Sequence, residues 1–366
     1  VRLALQRHIA RVQGIQTPDL FSERPSSGAM LAPPALETLC AAFRLSPFER
    51  DLLLLCAGME LDSGIAALCA EAQGDPQRAY PTFSLALAAL SEAHWSAITP
   101  AAPLRRRRLI EPVTGGSLTH SPLRISERVL HYLAGVSYLD ERLTALIRPV
   151  FANGAEDARS FGLPPSQQAL AERIAAVWLQ SHETGALPVA QLCGDETGAK
   201  RAIAATACAE LGLALHSIDY RAIPQHPAEL DALMRLWERE AALFGSALLL
   251  DCDDLAGGDP AQLNAVKQFI DDLSGALMIS THERRPTDRQ AVFFEVHKPH
   301  AAEQRAAWMS ALGPVGAQLN GQVDALVTQF DLSTHAIRTV GAEARWNHGV
   351  TSATDIGALL WDACRA

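Results

Sequence analysis

The chain has 366 residues but no run approaching the roughly 18–20 apolar residues of a membrane-spanning helix. It has no C-x-x-C pair. Its seven cysteines (Cys40, Cys56, Cys69, Cys193, Cys208, Cys252, Cys364) each sit in an apolar or helical context, so buried reduced thiols are expected. Its twelve histidines include no H-E-x-x-H or other ligand spacing, and no metal site is assigned to them. No Ser-His-Asp or G-x-S-x-G arrangement is visible, nor any repeat or low-complexity tract. Positive charge is in deficit: 31 Lys and Arg against 41 Asp and Glu leave a net charge of −10. That balance argues against whole-surface attraction to nucleic acid or to an acidic membrane. The start Val1-Arg2-Leu3 leads into charged sequence rather than a signal peptide. A cytoplasmic location is expected, and a first residue other than Met is what a fragment would show.

What is present is ordinary for a protein with real cores: 48% hydrophobic and 20% charged residues. The length predicts two or three domains. Residues 1–33 read as a helix and a Pro/Ser/Gly-rich linker. Residues 34–151 read as helix-rich. Ser46-Pro47-Phe48-Glu49 carries an N-cap, a first-turn proline and a capping box. Further helices fit 64–72 and 83–90. Extended runs on either side of Gly115-Gly116 predict a hairpin. Three helices followed by a hairpin is the winged-helix arrangement, with 126–133 and 140–150 as closing helices. A linker is expected over 152–165.

From residue 166 apolar strands alternate with helices. Helix 166–182 precedes strand 188–193, helix 200–212, strand 214–219, helix 227–244, strand 246–251, helix 259–273 and strands 276–281 and 291–296. This pattern predicts an α/β domain over 166–299, a parallel sheet with helices on both faces. Residues 300–366 read as helical only.

One motif stands out. Gly194-Asp195-Glu196-Thr197-Gly198-Ala199-Lys200-Arg201 lies between an apolar strand and a helix, the setting of a phosphate loop. Its backbone N–H groups and the helix start would face an anion. The pattern G-x-x-x-x-G-K-[ST] places its lysine at Lys200, but glycine is replaced by Ala199 and the magnesium-binding hydroxyl by Arg201. About 50 residues on, Ala247-Leu248-Leu249-Leu250 ends in Asp251, the place of a Walker B aspartate that would hold magnesium through its water shell. The catalytic glutamate expected next is Cys252, which is too weak a base at neutral pH. Asp254 is a second Walker B candidate. Asp253 is also close, but a shift of one or two residues along a strand end moves a side chain by several Å. Thr281, ending a strand, and Arg338 are sensor candidates. Arg284, Arg285 and Arg289 offer an arginine finger or a solvated loop. Arg105–Arg108 offers either a grip on DNA phosphates or a solvated, protein-docking face.

The order of phosphate loop, Walker B strand, sensor strand, last strand and helical segment resembles the AAA+ ATPases from about Gln168 to Ala366. Val296-His297-Lys298-Pro299 followed by 301–308 is similar to the entry into the AAA+ helical lid, placed at 300–366. The segments 45–56, 80–83, His94-Trp95 and 123–135 resemble the winged-helix domain of a bacterial AAA+ group that occurs with phage-tail-like contractile injection systems. Together these resemblances cover most of the chain beyond residue 30. They imply the N-terminal part of such a protein, with a degenerate first AAA+ module and an active second module to follow. They further imply ATP or ADP as ligand, and self-association or a second AAA+ module as partner together with a protein substrate. Ala199, Arg201 and Cys252 depart from the active pattern, so little or no hydrolysis is expected here, and an assembly scaffold or nucleotide-gated docking module is the expected role. The rivals are a winged-helix nucleic-acid-binding regulator and a nucleotide-free structural adaptor.

Overall fold

A computed structural model describes residues 1–14, 34–113, 115–151, 162–182, 187–255, 259–319, 321–347 and 353–365. The expected linker over 15–33 and the 152–161 part of the one expected over 152–165 lie outside the described residues; the helix that follows starts at Pro165, inside the expected linker. The chain divides into two compact units. The first is Val1–Leu143 together with Ala232–Leu243, and the second is Thr144–Asp231 together with Phe244–Ala366.

The first unit holds α1 (Arg2–Val12), α2 (Ala35–Phe43), α3 (Pro47–Leu61), α4 (Gly64–Gln73), α5 (Phe83–Ala89) and α6 (Pro103–Arg106). A two-stranded sheet follows, β1 (Ile110–Pro112) with β2 (Leu123–Ile125), antiparallel with Ile110 opposite Ile125. Then come α7 (Glu127–Leu133) and α8 (Glu141–Thr144). The capping box forms as its sequence requires: Glu49 N–H donates to Ser46 Oγ, and Ser46 N–H donates to the Glu49 carboxylate. Phe48, Leu52, Leu53 and Leu55 are then buried along α3.

This unit also contains a buried ionic network. Arg239 Nη2 binds Asp140, and Arg239 Nε donates to Glu240 Oε1 at 3.1 Å. Arg128 Nε donates to Glu240 Oε2 at 3.0 Å, and Arg107 binds Glu238. Arg239 is 0% and Glu240 1% exposed. Charges this deep persist only when paired, because desolvation costs several kcal/mol per ion. Two members of the Arg105–Arg108 run are therefore occupied, since Arg107 holds Glu238 and Arg105 donates to the Ile98 carbonyl at 2.9 Å.

The second unit is built on a six-stranded sheet. Its strands are β3 (Ile147–Val150), β4 (Val189–Cys193), β5 (Ala214–Asp219), β6 (Ser246–Asp251), β7 (Leu277–Thr281) and β8 (Ala291–Glu295), in the order β3-β5-β6-β7-β4-β8. All neighbours run parallel except β3, which is antiparallel to β5 with Ile147 opposite Ile218. The interleaved helices are α9 (Pro165–His182), α10 (Thr197–Glu210) and α12 (Pro260–Asp272), together with the ends of α11 (Pro227–Phe244), whose residues 232–243 belong to the first unit. Strands β4 and β7 are buried at every position, as a parallel sheet covered on both faces requires. Residues from α9, α10 and the strands share one core that includes Ile174, Trp178, Ile203, Leu192, Leu249 and Met278.

Two expectations are corrected here. Residues 140–150 do not form one closing helix. Pro149 cannot sit in a helix interior, while Ile147 and Val150 suit a strand, and an edge position tolerates the missing N–H. The helix expected from residue 200 begins instead at Thr197.

Four helices, α13 (Ala301–Leu312), α14 (Gln322–Gln329), α15 (Thr334–Asn347) and α16 (Ala353–Arg365), pack around Trp308, Leu312, Leu326, Ile337 and Leu360. Glu303 ties the start of this lid to α9. It accepts from Ser166 N–H at 2.7 Å, Ser166 Oγ at 2.8 Å and His300 N–H at 2.9 Å.

Glu240→Ala should cost about 3–5 kcal/mol, because it leaves Arg128 and Arg239 buried without that carboxylate. Urea unfolding of the full chain reads this directly. A loss within about 0.5 kcal/mol, typical of a surface site, would contradict the network.

Candidate functional site

The strand order places the carboxyl end of β4 between those of β7 and β8. Connections leave β4 and β7 in opposite directions across the sheet, so this is its topological switch point, the usual ligand crevice of an open α/β sheet. The glycine-lysine loop lies there.

Gly194 has φ 138°, and a Cβ on it would stand 2.3 Å from the Val296 carbonyl oxygen. Its N–H donates to Thr281 O at 3.1 Å, and Val296 N–H donates to Cys193 O at 2.7 Å. The first glycine of the motif is therefore required by the seam between the β4, β7 and β8 ends, whatever the loop binds.

The loop is short. Lys200 N–H already donates to Glu196 O at 3.0 Å, which puts Thr197, Gly198 and Ala199 in the first turn of α10. Alanine at 199 favours this, being the strongest helix former where the motif has glycine. Thr197 Oγ1 donates to the Asp253 carboxylate.

Lys200 is 0% exposed, and its ammonium donates to Gly194 O at 2.6 Å, Asp253 Oδ1 at 2.6 Å and Thr281 O at 3.1 Å. An ammonium has three protons, and all three have acceptors. Asp253 also accepts from Ser280 Oγ at 3.0 Å. Burial raises its pKa, but hydrogen bonds from Lys200 and Thr197 outweigh that and hold it below the usual carboxylate range. The anion near the N-terminus of α10 is thus the protein's own side chain, with the helix dipole in its favour.

The other candidates are placed elsewhere. Asp251, at the end of β6, faces Arg201 Nη2 at 3.5 Å and accepts from Asp253 N–H at 3.3 Å. Burial raises its pKa, and the negative charge of Asp253 adds to that. Cys252 is buried, and burial pushes its thiol up to about 12, so it is protonated at neutral pH. Asp254 is exposed and accepts from Arg221 at 2.9 Å. Thr281 Oγ1 donates to Glu283 O at 2.9 Å. Arg338 donates to Gly162 O at 3.1 Å. Arg284 pairs with Glu295 at 3.1 Å, and Arg289 donates to the Leu273, Leu187 and Gly275 carbonyls. Asp195 stands 3.1 Å from His282 Nδ1.

One residue that the sequence reading set aside and one that it missed belong to the site. Asp253, set aside on strand geometry, lies in a 3-10 turn (Asp253–Leu255) after β6, and that turn brings its carboxylate back over the loop. Gln191, 0% exposed in β4, clamps the Arg285 backbone by accepting its N–H and donating to its carbonyl, both at 2.9 Å. A polar residue in the middle of a buried strand was the signal available for it. No group of three or more His, Cys, Asp or Glu able to hold a metal occurs among the described residues.

Residues 300–366 match the family described as contractile injection system ATPase helical domain, and residues 20–147 match the winged helix domain, variant. The C-terminal helices are thus similar to the one family and most of the first unit to the other. Strands β4 to β8 lie in sequence between the two matched segments. No curated protein matches the sequence. Similar solved structures include PCH-2 of C. elegans at 10% identity and TM-score 0.40, covering 54% of this chain and 67% of that one. Trip13 of Rhizobiales matches at 18% identity and TM-score 0.36, covering 55% and 90%. The FIGL-1 AAA domain in complex with ADP matches at 15% identity and TM-score 0.40, covering 63% and 91%. At these values the likeness carries no conclusion about ligand or activity. No helix among the described residues is long and apolar enough to cross a membrane.

Two outcomes follow from the loop geometry. Gly194→Ala should destabilise the second unit by well over about 1 kcal/mol, through the φ penalty and the clash with the Val296 carbonyl; an unchanged denaturation midpoint would contradict the seam. Because the folded pKa of Asp253 lies below its unfolded value near about 3.9, its contribution is complete above about pH 4 and is lost as pH falls through the folded pKa. The stability difference between wild type and Asp253→Asn should therefore be largest near neutral pH and shrink on acidification. A difference that grows toward low pH would contradict it.

Proposed function

We propose that this chain is a non-hydrolysing AAA+-type module. In this reading it serves as an assembly scaffold within a contractile injection system ATPase, with its nucleotide loop closed on an internal carboxylate. The single observation that carries the reading is the ammonium of Lys200, wholly buried, with all three protons given to Gly194 O, Asp253 Oδ1 and Thr281 O.

The residues present do not suit a nucleotide with magnesium. A phosphate oxygen would have to displace Asp253 from Lys200 and Thr197 together, leaving a carboxylate beside a polyanion. The hydroxyl that would ligate the metal is Arg201, and a guanidinium repels a cation. The position for a general base is the protonated thiol of Cys252. Positioned metal and water supply most of the acceleration in phosphoryl transfer, so a site without either turns over negligibly.

The scaffold role rests on the two matched domains and on the stability the closed loop gives the sheet. Its partners are further copies of this chain or a second AAA+ module, together with a protein substrate. The nucleic-acid rival loses support, because Arg105 and Arg107 are committed to internal partners. Nucleotide at 100 times its Kd would stabilise a binding-competent fold by about 2.7 kcal/mol. The expected result is no shift in the unfolding midpoint with millimolar ATP or ADP, with or without magnesium, and no phosphate release above background. Nucleotide-dependent stabilisation that disappears in Lys200→Ala would overturn the reading.

A further inference from the structure

Gly194, Asp195 and Glu196 line a cleft of about 850 Å³ in the second unit, along with the ends of β7 and β8 and the start of the lid. Five carboxylates face it (Asp195, Glu196, Glu283, Glu295 and Asp331) against two permanent cations, Arg284 and Lys298. Both cations are already engaged. Arg284 holds Glu295 at 3.1 Å, and Lys298 donates to Asp331 O at 2.8 Å and stands 3.7 Å from Glu196. Among the described residues no cation pairs with Glu283. The cleft repels a phosphate chain and attracts a cation.

A second observation is independent of the charge. Gln304 of α13 lines the same cleft and is 3% exposed. Its Nε2 donates to Pro299 O and to Asp331 Oδ1, both at 2.9 Å. Both partners are acceptors, so the amide orientation is fixed. Its Oε1 is left buried with no donor. Val296, Pro299, Ala301 and Val327 add an apolar wall.

Carboxylates, an orphan acceptor and an apolar wall together fit a multi-donor cation on an alkyl stem. We propose that this cleft binds a guanidinium or ammonium side chain, presented by an arginine- or lysine-bearing segment of a partner protein. A bare metal ion is not the fit, since no metal-holding group occurs among the described residues. The proposal rests on the reading of the loop as closed to nucleotide.

The test is calorimetric titration of the full chain with N-acetyl-arginine amide at low salt. N-acetyl-citrulline amide serves as the neutral isostere, spermidine as a free polyamine, and ATP as the anionic probe. The arginine amide should bind and weaken as salt rises, while citrulline amide and ATP stay silent. The double variant Glu283→Gln, Glu295→Gln should weaken it by about fivefold. Circular dichroism confirms that the variant folds. Equal binding of arginine and citrulline amides, or binding of spermidine alone, would overturn the assignment to a cationic side chain. Silence of every cation together with silence of ATP would overturn the cleft and leave the closed loop standing. ATP binding that is lost in Lys200→Ala would overturn both.

Discussion

A lysine with no access to water must find its counter-charge inside the protein, and the candidate site is organised around that constraint. Lys200 enters the sheet at the switch point and is met by Asp253, Gly194 O and Thr281 O. Three structural facts follow. The helix can start at Thr197, because Asp253 supplies the negative charge its N-terminus favours. The ends of β4, β6 and β7 are cross-linked through one ammonium. The carboxylate that a neighbouring strand end would offer to a metal, Asp251, is left facing a guanidinium. A phosphate loop holds its lysine ready for an external anion; here the same lysine has an internal one.

The first unit uses the same physics at another place. Glu238, Arg239 and Glu240 are consecutive charges on α11, and all three are buried. Their partners Arg107, Arg128 and Asp140 come from the winged-helix segment. Removing one member leaves the others uncompensated, so breaking the network costs more than its net contribution to stability suggests.

Much of the fold was legible because hydrophobic periodicity is a strong signal. The alternation of apolar strands with helices from residue 166 onward, the four lid helices and the Ser46 capping box all follow from residue order. The residues that decide the site were harder to read. Asp253 was set aside because spacing along a strand is a one-dimensional measure, whereas a 3-10 turn returns the carboxylate to the loop. The early start of α10 was hidden because a glycine-rich motif reads as a loop, while Ala199 and Thr197 favour a helix. Strand β3 was hidden by the short helix beside it, with Pro149 the clue. The triplet Glu238-Arg239-Glu240 gives no sign of burial in the sequence, since charges are rarely buried. In each case a tertiary partner distant in sequence overrode a local pattern.

The central claim is that Lys200 and Asp253 neutralise one another in the interior. A double-mutant cycle with Lys200→Met, Asp253→Leu and the pair, followed by urea unfolding at neutral pH, measures this directly. Each single change should destabilise by about 3–5 kcal/mol, and the double should lose far less than their sum, a coupling of at least about 1 kcal/mol. Additive losses within about 0.5 kcal/mol would show that the two charges do not depend on each other and would contradict the account.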